Sequence, residues 1–300
     1  YTPDAIVQSI MYYLKSNESF KPQNILEPSA GNGVFIRKLA KIYPSSRFTA
    51  FEKEILTVRI LEHNFQNYGN VKVYGVPFEN LAQTDATKKY DLVISNIPFG
   101  ANKIFDRELQ GHPLQSQISK NIHSYFIYKS LAALKPSGVS ILVCTKNFMD
   151  KKQYGPIREH LMQTNNFIGG IRLPDSAFAQ ENTAIVTDIL IFQNNRRIET
   201  TLKQKEINAL FTQSAEEVLG ANSVQINEYF LAHPENILGT LAEGGLYNNQ
   251  DYTVKSDYGF EQLASEIATS LQKFQIRTPL KKSQSKTEVQ VYKEIIAETI

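Results

Sequence analysis

The sequence predicts an α/β fold: a doubly wound, mostly parallel sheet of seven strands, followed by a C-terminal α+β extension. Three observations carry that expectation. Along the first two-thirds of the chain, short apolar or alternating runs take turns with segments of helical period. The 300 residues are 42% hydrophobic and 21% charged, ample material for a large core. One apolar run, residues 91–95, stops in Asn96-Ile97-Pro98-Phe99, with Gly100 after it. A buried strand ending this way sets an amide, two fixed carbonyls and a ring at the carboxyl edge of a sheet, where open α/β sheets bind ligands.

The elements follow in order. After Thr2-Pro3, residues 4–14 place Ile6, Ile10 and Leu14 on one helical face. Residues 24–26 form a short strand ending in Glu27, and residues 34–42 a helix with Phe35, Leu39 and Ile42 on one side. Strands are expected at 47–51 and 71–74, with a helix at 55–65 between them. The run at 91–95 is the fourth strand. A helix at 122–134 stops at the turn signal Lys135-Pro136-Ser137-Gly138, and a strand follows at 139–143. Residues 157–162 are helical, and late strands fall at 167–173 and 187–192. After Asn194-Asn195-Arg196-Arg197 polar stretches dominate. That change divides the chain into a domain at 1–195 and an extension at 196–300, which either forms a unit or wraps the core. Short helices are expected at 226–232 and 259–274, and a hairpin around Gly244-Gly245 and Asn248-Asn249. Arg277, Lys281, Lys282 and Lys286 form a basic run that reads as a linker or a DNA contact.

Composition narrows the classes. The single cysteine, Cys144, excludes an internal disulfide and favours a reducing, cytoplasmic setting. The sequence has no membrane-length apolar stretch and no signal peptide, and a start at Tyr1 suggests a segment of a longer protein. A net charge of +2 confines any nucleic-acid surface to a local patch. The five histidines are scattered without metal-ligand spacing, so no metal is expected.

Glu27-Pro28-Ser29-Ala30-Gly31-Asn32-Gly33 joins the first strand to its helix. Glycines let a backbone approach a ligand, and the helix start offers free N–H groups. Ile36 stands where the dinucleotide fingerprint needs a third glycine, so a pyrophosphate loop is disfavoured. A zwitterion fits better, with Glu27 taking its ammonium; a plain tight turn is the alternative. Glu52, ending the second strand, is placed to accept both hydroxyls of a ribose, or is simply a solvated strand end. In Gly75-Val76-Pro77-Phe78-Glu79, Phe78 is either the cover of an adenine face or an ordinary core ring.

Read in order, these motifs resemble the adenine-N6 DNA methyltransferases that use S-adenosylmethionine, most closely the helicase-linked subgroup of mobile genetic elements. The resemblance implies a Rossmann-like methyltransferase sheet. It implies a cofactor site of Tyr1, Thr2, Glu27, Pro28, Ala30, Gly31, Gly33, Glu52 and Phe78. It makes Asn96-Ile97-Pro98-Phe99 the catalytic motif. The segment from Phe167 through Pro174, with Ala177-Phe178 and Thr187-Asp188-Ile189-Leu190, is similar to that subgroup's late strands, and Tyr229-Phe230 through His233-Pro234-Glu235 and Leu238-Gly239 also resembles that subgroup. DNA is the implied partner, with a helicase domain in the same longer chain. Two residues depart from the family pattern. Ile97 replaces the usual first proline, and Pro77 stands where an acid often reads the cofactor adenine.

An exocyclic adenine amine is a poor nucleophile because its lone pair is delocalised. Two acceptors on its hydrogens, the Asn96 side-chain oxygen and the Ile97 carbonyl, favour a pyramidal nitrogen. Phe99 can stack on a flipped base, and Phe178 is a candidate second wall or a core aromatic. Two other functions compete: a protein methyltransferase acting on a glutamine amide, and an inactive methylase-like module that binds DNA.

Overall fold

The computed structural model describes residues 2–84, 86, 89–100, 102–181, 184–244 and 251–280. Tyr1, the tip of the expected hairpin, and Lys281, Lys282 and Lys286 lie outside the described residues. The chain runs α1 (Asp4–Ser16), β1 (Asn24–Glu27), α2 (Val34–Ile42), β2 (Arg47–Phe51), α3 (Ile55–Phe65), β3 (Val71–Tyr74) and β4 (Tyr90–Asn96). It continues through α4 (Gln115–Ile118), α5 (Ile122–Ala132), β5 (Leu134–Thr145), α6 (Asn147–Asp150), α7 (Gly155–Met162), β6 (Asn165–Leu173) and β7 (Thr187–Asn194). Beyond the sheet come α8 (Leu202–Thr212), β8 (Ser214–Leu219), β9 (Asn222–Asn227), α9 (Glu228–Ala232), β10 (Thr240–Glu243), β11 (Tyr252–Lys255) and α10 (Phe260–Leu271).

β1 to β7 form one sheet in the order β3-β2-β1-β4-β5-β7-β6. It is parallel except that β7 runs antiparallel to both of its neighbours. Strand order reverses between β1 and β4, and the carboxyl ends of those strands are where Glu27 and Asn96 sit. Alternate residues feed two cores. Leu92 and Ile94 pack on the α1, α2 and α10 side, whereas Val93 packs on the side of α5, α7 and α8. A sheet covered on both faces explains why its inner strands read as continuous apolar runs.

Two expectations are corrected. Lys135-Pro136-Ser137-Gly138 does not separate helix from strand, because β5 begins already at Leu134. The turn is absorbed as an irregularity: the register passes from Tyr90 opposite Leu134 to Leu92 opposite Val139. Ser137, at φ 63°, takes the left-handed conformation that lets the extra residues loop out. The helix expected at 226–232 starts two residues later, since Ile226 and Asn227 belong to β9. Asn227 caps α9 through its side chain, which accepts from the Tyr229 N–H at 3.1 Å.

Residues after 195 are packed into these cores. Phe211 of α8 stacks on Phe167 at 4.5 Å, and Leu263, Ile267 and Leu271 of α10 are buried in the α1 side. β10 and β11 pair antiparallel on either side of the expected hairpin tip. Tyr252 of β11 reaches a buried ion cluster, where Arg172 donates to both oxygens of Asp188 at 2.7 Å and to Asp150 at 3.0 Å. The Tyr252 hydroxyl donates to Asp150 at 2.5 Å, and the Arg172 guanidinium lies 4.1 Å from the centre of the Phe230 ring. Among the described residues no helix is long and apolar enough to cross a membrane.

Candidate functional site

The carboxyl ends of β1, β2 and β4 open into a cavity of about 340 Å³. Thr2, Glu27, Ala30, Gly31, Glu52, Asn96, Ile97, Pro98, Phe99 and Phe178 all contribute to its wall. Sequence motifs more than 150 residues apart, from Thr2 to Phe178, are therefore brought to one place. A second cavity, about 190 Å³, adjoins it, with Ser29, Glu52, Glu54 and Pro98 common to both walls. Pro28, Pro77 and Phe78 line this smaller space, together with Val76, Ile104 and Phe126.

The glycine loop earns its conformation residue by residue. Gly31 has φ +53° and open space where a side chain would be, so the backbone faces the cavity bare. Gly33 behaves differently. At φ +77°, it turns its missing Cβ towards Phe65 and Leu61, within 2.4 and 2.7 Å of them, and it is not part of the cavity wall. Without a side chain there, α2 can approach α3. Pro3, buried at the start of α1, accepts the Ile6 and Val7 N–H groups at 3.1 and 3.2 Å, which fixes the chain beside Thr2.

Glu27 is fully buried and one of its carboxyl oxygens has no hydrogen-bond partner. Burial pushes its pKa well above the ordinary carboxylate range. A backbone N–H from Ile36 opposes the shift, and the charge of Glu52 adds to it. Glu52 by contrast is held on both oxygens. One accepts the Gly31 N–H at 2.9 Å; the other accepts the N–H groups of Lys53 and Glu54 at 2.9 Å. Three of about four lone-pair positions are thus occupied from the backbone, and the carboxylate ties the glycine loop to the end of β2.

On the β4 side, the Asn96 side-chain oxygen is buried and unpartnered. Ile97 buries its side chain completely, and its N–H donates to the Val143 carbonyl at 2.9 Å. A proline at 97 has no such N–H. The departure from the family pattern therefore substitutes a ladder hydrogen bond for a ring constraint, and Ile97 is anchored through the peptide that precedes its carbonyl. Phe99 is 37% exposed, its ring centre 5.4 Å from that of Phe178 in a T-shaped pair. Phe178 is both things the sequence allowed, a buried ring at 1% exposure and a part of the cavity wall. Phe78 is likewise buried and yet lines the smaller cavity.

His123 escaped sequence reasoning. It sits at the start of α5, 6.3 Å from Phe99 between ring centres, buried, with Nδ1 unpartnered. Burial lowers its pKa to about 4, so the ring is neutral at pH 7. No spacing signal marked it, because the contact exists only once α5 packs beside the end of β4. Ser29, Asn32, Glu54 and Thr57 also line the larger cavity, set there by the loop and by the start of α3.

A sequence model of the family described as N-6 DNA Methylase matches residues 1–236. The chain belongs to the N-6 DNA Methylase family. Proteins similar to it include the Defense against restriction protein B of Escherichia phage P1, 26% identical over 195 residues. Another is the Type II methyltransferase M.HincII of Haemophilus influenzae, 27% identical over 175 residues. The aligned part is 65% and 56% of this chain respectively, but only 8% of the phage protein and 31% of the Haemophilus enzyme. Among solved structures, one described as a class I S-adenosylmethionine-dependent methyltransferase of Listeria monocytogenes is similar with a TM-score of 0.56 at 18% identity. It covers 67% of this chain and 62% of that one. A chain from a type I restriction-modification assembly gives 0.50 at 16% identity, covering 65% and 42%. These likenesses establish the Rossmann-like methyltransferase fold for this N-6 DNA methylase family member.

Proposed function

We propose that this chain transfers a methyl group from S-adenosylmethionine to the N6 amine of an adenine flipped out of DNA. The observation that carries the reading is the buried, unpartnered side-chain oxygen of Asn96, set in the same cavity wall as the unpartnered carboxyl of Glu27. A buried acceptor without a donor costs about 1–3 kcal/mol. Two unpartnered oxygens on residues that wall one cavity are what a site keeps when its ligands bring the partners.

The residues fit the cofactor. Glu27 suits its ammonium, the open backbone at Gly31 lets the chain come close, and Thr2 and Ala30 complete that end. The slot of Phe78, Pro98, Val76 and Ile104 suits a flat apolar ring. Glu52 retains about one free lone pair, enough for one ribose hydroxyl with Gly31 in its present place. When bound, S-adenosylmethionine supplies an electrophilic methyl on a sulfonium. Asn96 and the Ile97 carbonyl accept from the amine, which directs its lone pair outwards. Phe99 stacks on the base, worth ~1–3 kcal/mol, with Phe178 bracing that ring from its edge. Pro98 stiffens the peptide between acceptor and ring. Catalysis is then mainly positioning.

The test is tritium transfer from labelled S-adenosylmethionine into plasmid DNA. Asn96→Ala is expected to lower the rate on the order of 10²–10³-fold, comparable to losing one preorganised hydrogen bond at a reacting centre, with cofactor affinity nearly unchanged. Label appearing in protein instead of DNA would return the glutamine-amide reading. Cofactor binding with no transfer at all would leave an inactive DNA-binding module. Because the chain aligns to only 8% of the phage relative, we further propose that it works inside a longer polypeptide, in which a helicase domain or other parts supply sequence specificity.

A further inference from the structure

We propose that the segment just after the catalytic tetrapeptide is a DNA-gripping edge, with Phe105 entering the base stack and Lys103 and Arg107 holding phosphates. This rests on the DNA reading above. The segment alternates sharply. Ile104 lines the smaller cavity beside Phe78 and Pro98, and its N–H donates to the Ser119 carbonyl at 3.0 Å. Asp106 is buried, accepting from the Tyr125 hydroxyl at 2.5 Å and from the Lys129 ammonium. Lys129 also donates to Glu108 at 2.9 Å and to the Glu79 carbonyl at 3.1 Å. The inner residues are therefore locked, and through Lys129 the lock reaches the loop that carries Phe78.

Lys103, Phe105 and Arg107 are left facing solvent. Phe105 is 68% exposed, more than any other phenylalanine or tyrosine among the described residues. Neither Lys103 nor Arg107 has an ion-pair partner among the described residues. The nearest acids in sequence, Asp106 and Glu108, are both engaged by Lys129. The outer face thus reads cation, aromatic, cation, held rigid from beneath, six residues from the ring on which the base would stack. Cations there neutralise phosphates, and an aromatic ring stacks on any base without reading its identity. Flipping an adenine opens a gap in the duplex, and an inserted apolar side chain can hold such a gap open. Near-neutral overall charge is no obstacle, since the attraction is local.

Fluorescence anisotropy with the whole chain and S-adenosylhomocysteine tests this on three labelled probes: an intact duplex, the same duplex with a central abasic site, and the single strand. Wild type should prefer the abasic duplex over the intact one by roughly tenfold, because unpairing is already done. Phe105→Ala should erase that preference and weaken single-strand binding by roughly fivefold or more, the loss of one stacked base. Lys103→Gln with Arg107→Gln should reduce the slope of log affinity against log salt by about 1.8. Calorimetric affinity for S-adenosylmethionine should match wild type in every variant, which checks that each is folded. A preference that survives Phe105→Ala overturns the wedge. An unchanged salt slope removes DNA from this edge and leaves a protein partner. A wild type that methylates DNA yet shows neither dependence sinks the edge alone; a wild type that binds DNA through it without methylating sinks the catalytic reading alone.

Discussion

At Glu27 a carboxyl is kept buried with one oxygen unpartnered, where its charged form works against the fold. Its pKa is raised mainly by burial, so the folded protein holds a proton that the unfolded chain gives up above pH 4.5. Stability contributed by the neutral form is present at low pH and is lost as pH rises from 4.5 towards the folded pKa. Glu27→Gln should therefore raise the melting temperature of the ligand-free protein at pH 7 to 8, about 2–4 °C per kcal/mol, with the gain vanishing near pH 4.5. The same change should abolish measurable S-adenosylmethionine binding by calorimetry. Wild-type affinity should rise with pH, because a cation is bound by the ionised carboxylate. Ile97 tests the opposite intuition. Restoring the family's proline removes the N–H that reaches Val143 and the side chain that fills the core. Ile97→Pro is expected to destabilise by roughly 2–4 kcal/mol in denaturant melts rather than to improve the site.

At the scale of elements, the two glycines of the β1–α2 loop separate into two jobs. Gly33→Ala forces a methyl against Phe65 and Leu61 at positive φ, and should cost roughly 1–3 kcal/mol of stability with a lesser effect on cofactor affinity. Gly31→Ala meets open space, so its penalty is only about 1 kcal/mol of backbone strain. Its methyl sits where the cofactor would approach, and its main effect should be weaker binding by calorimetry. Sequence alone does not separate them, since both read as loop glycines. Nearly all the sheet was legible, and the ends of α2, β2, α3 and β3 fall where periodicity places them. What misled was local chemistry with a global solution. Lys135-Pro136-Ser137-Gly138 carries every turn signal, and makes a turn, but the strand on either side is continuous because β4 pairs with both halves.

For the molecule as a whole, the decisive feature is that residues past 195 complete the cores. The β6 and β7 end of the sheet is capped by Phe211, Tyr229 and Tyr252, and the α1 face by α10. A chain cut after residue 195 should lose cooperative thermal unfolding and aggregate, because it exposes Phe167 and the face of α1 and strands Arg172 and Asp188 without Tyr252. Arg172→Met in the intact chain should cost about 3–5 kcal/mol by leaving Asp150 and Asp188 buried and unpaired.

The sequence by itself determined the sheet, the family, and most of the residues that wall the cavity. Strand periodicity and the residues at strand ends are local properties, and the chemistry of Asn96, Phe99, Glu27 and Gly31 is carried by residue type. Tertiary structure alone decided the rest. It packed Gly33 against Phe65 and Leu61, put His123 beside Phe99, and made Phe178 at once core and cavity wall. It also left Phe105 outside while Ile104 and Asp106 were drawn in. Each of these depends on which distant element lies against the residue, and packing between elements far apart in the chain leaves no periodicity in the sequence.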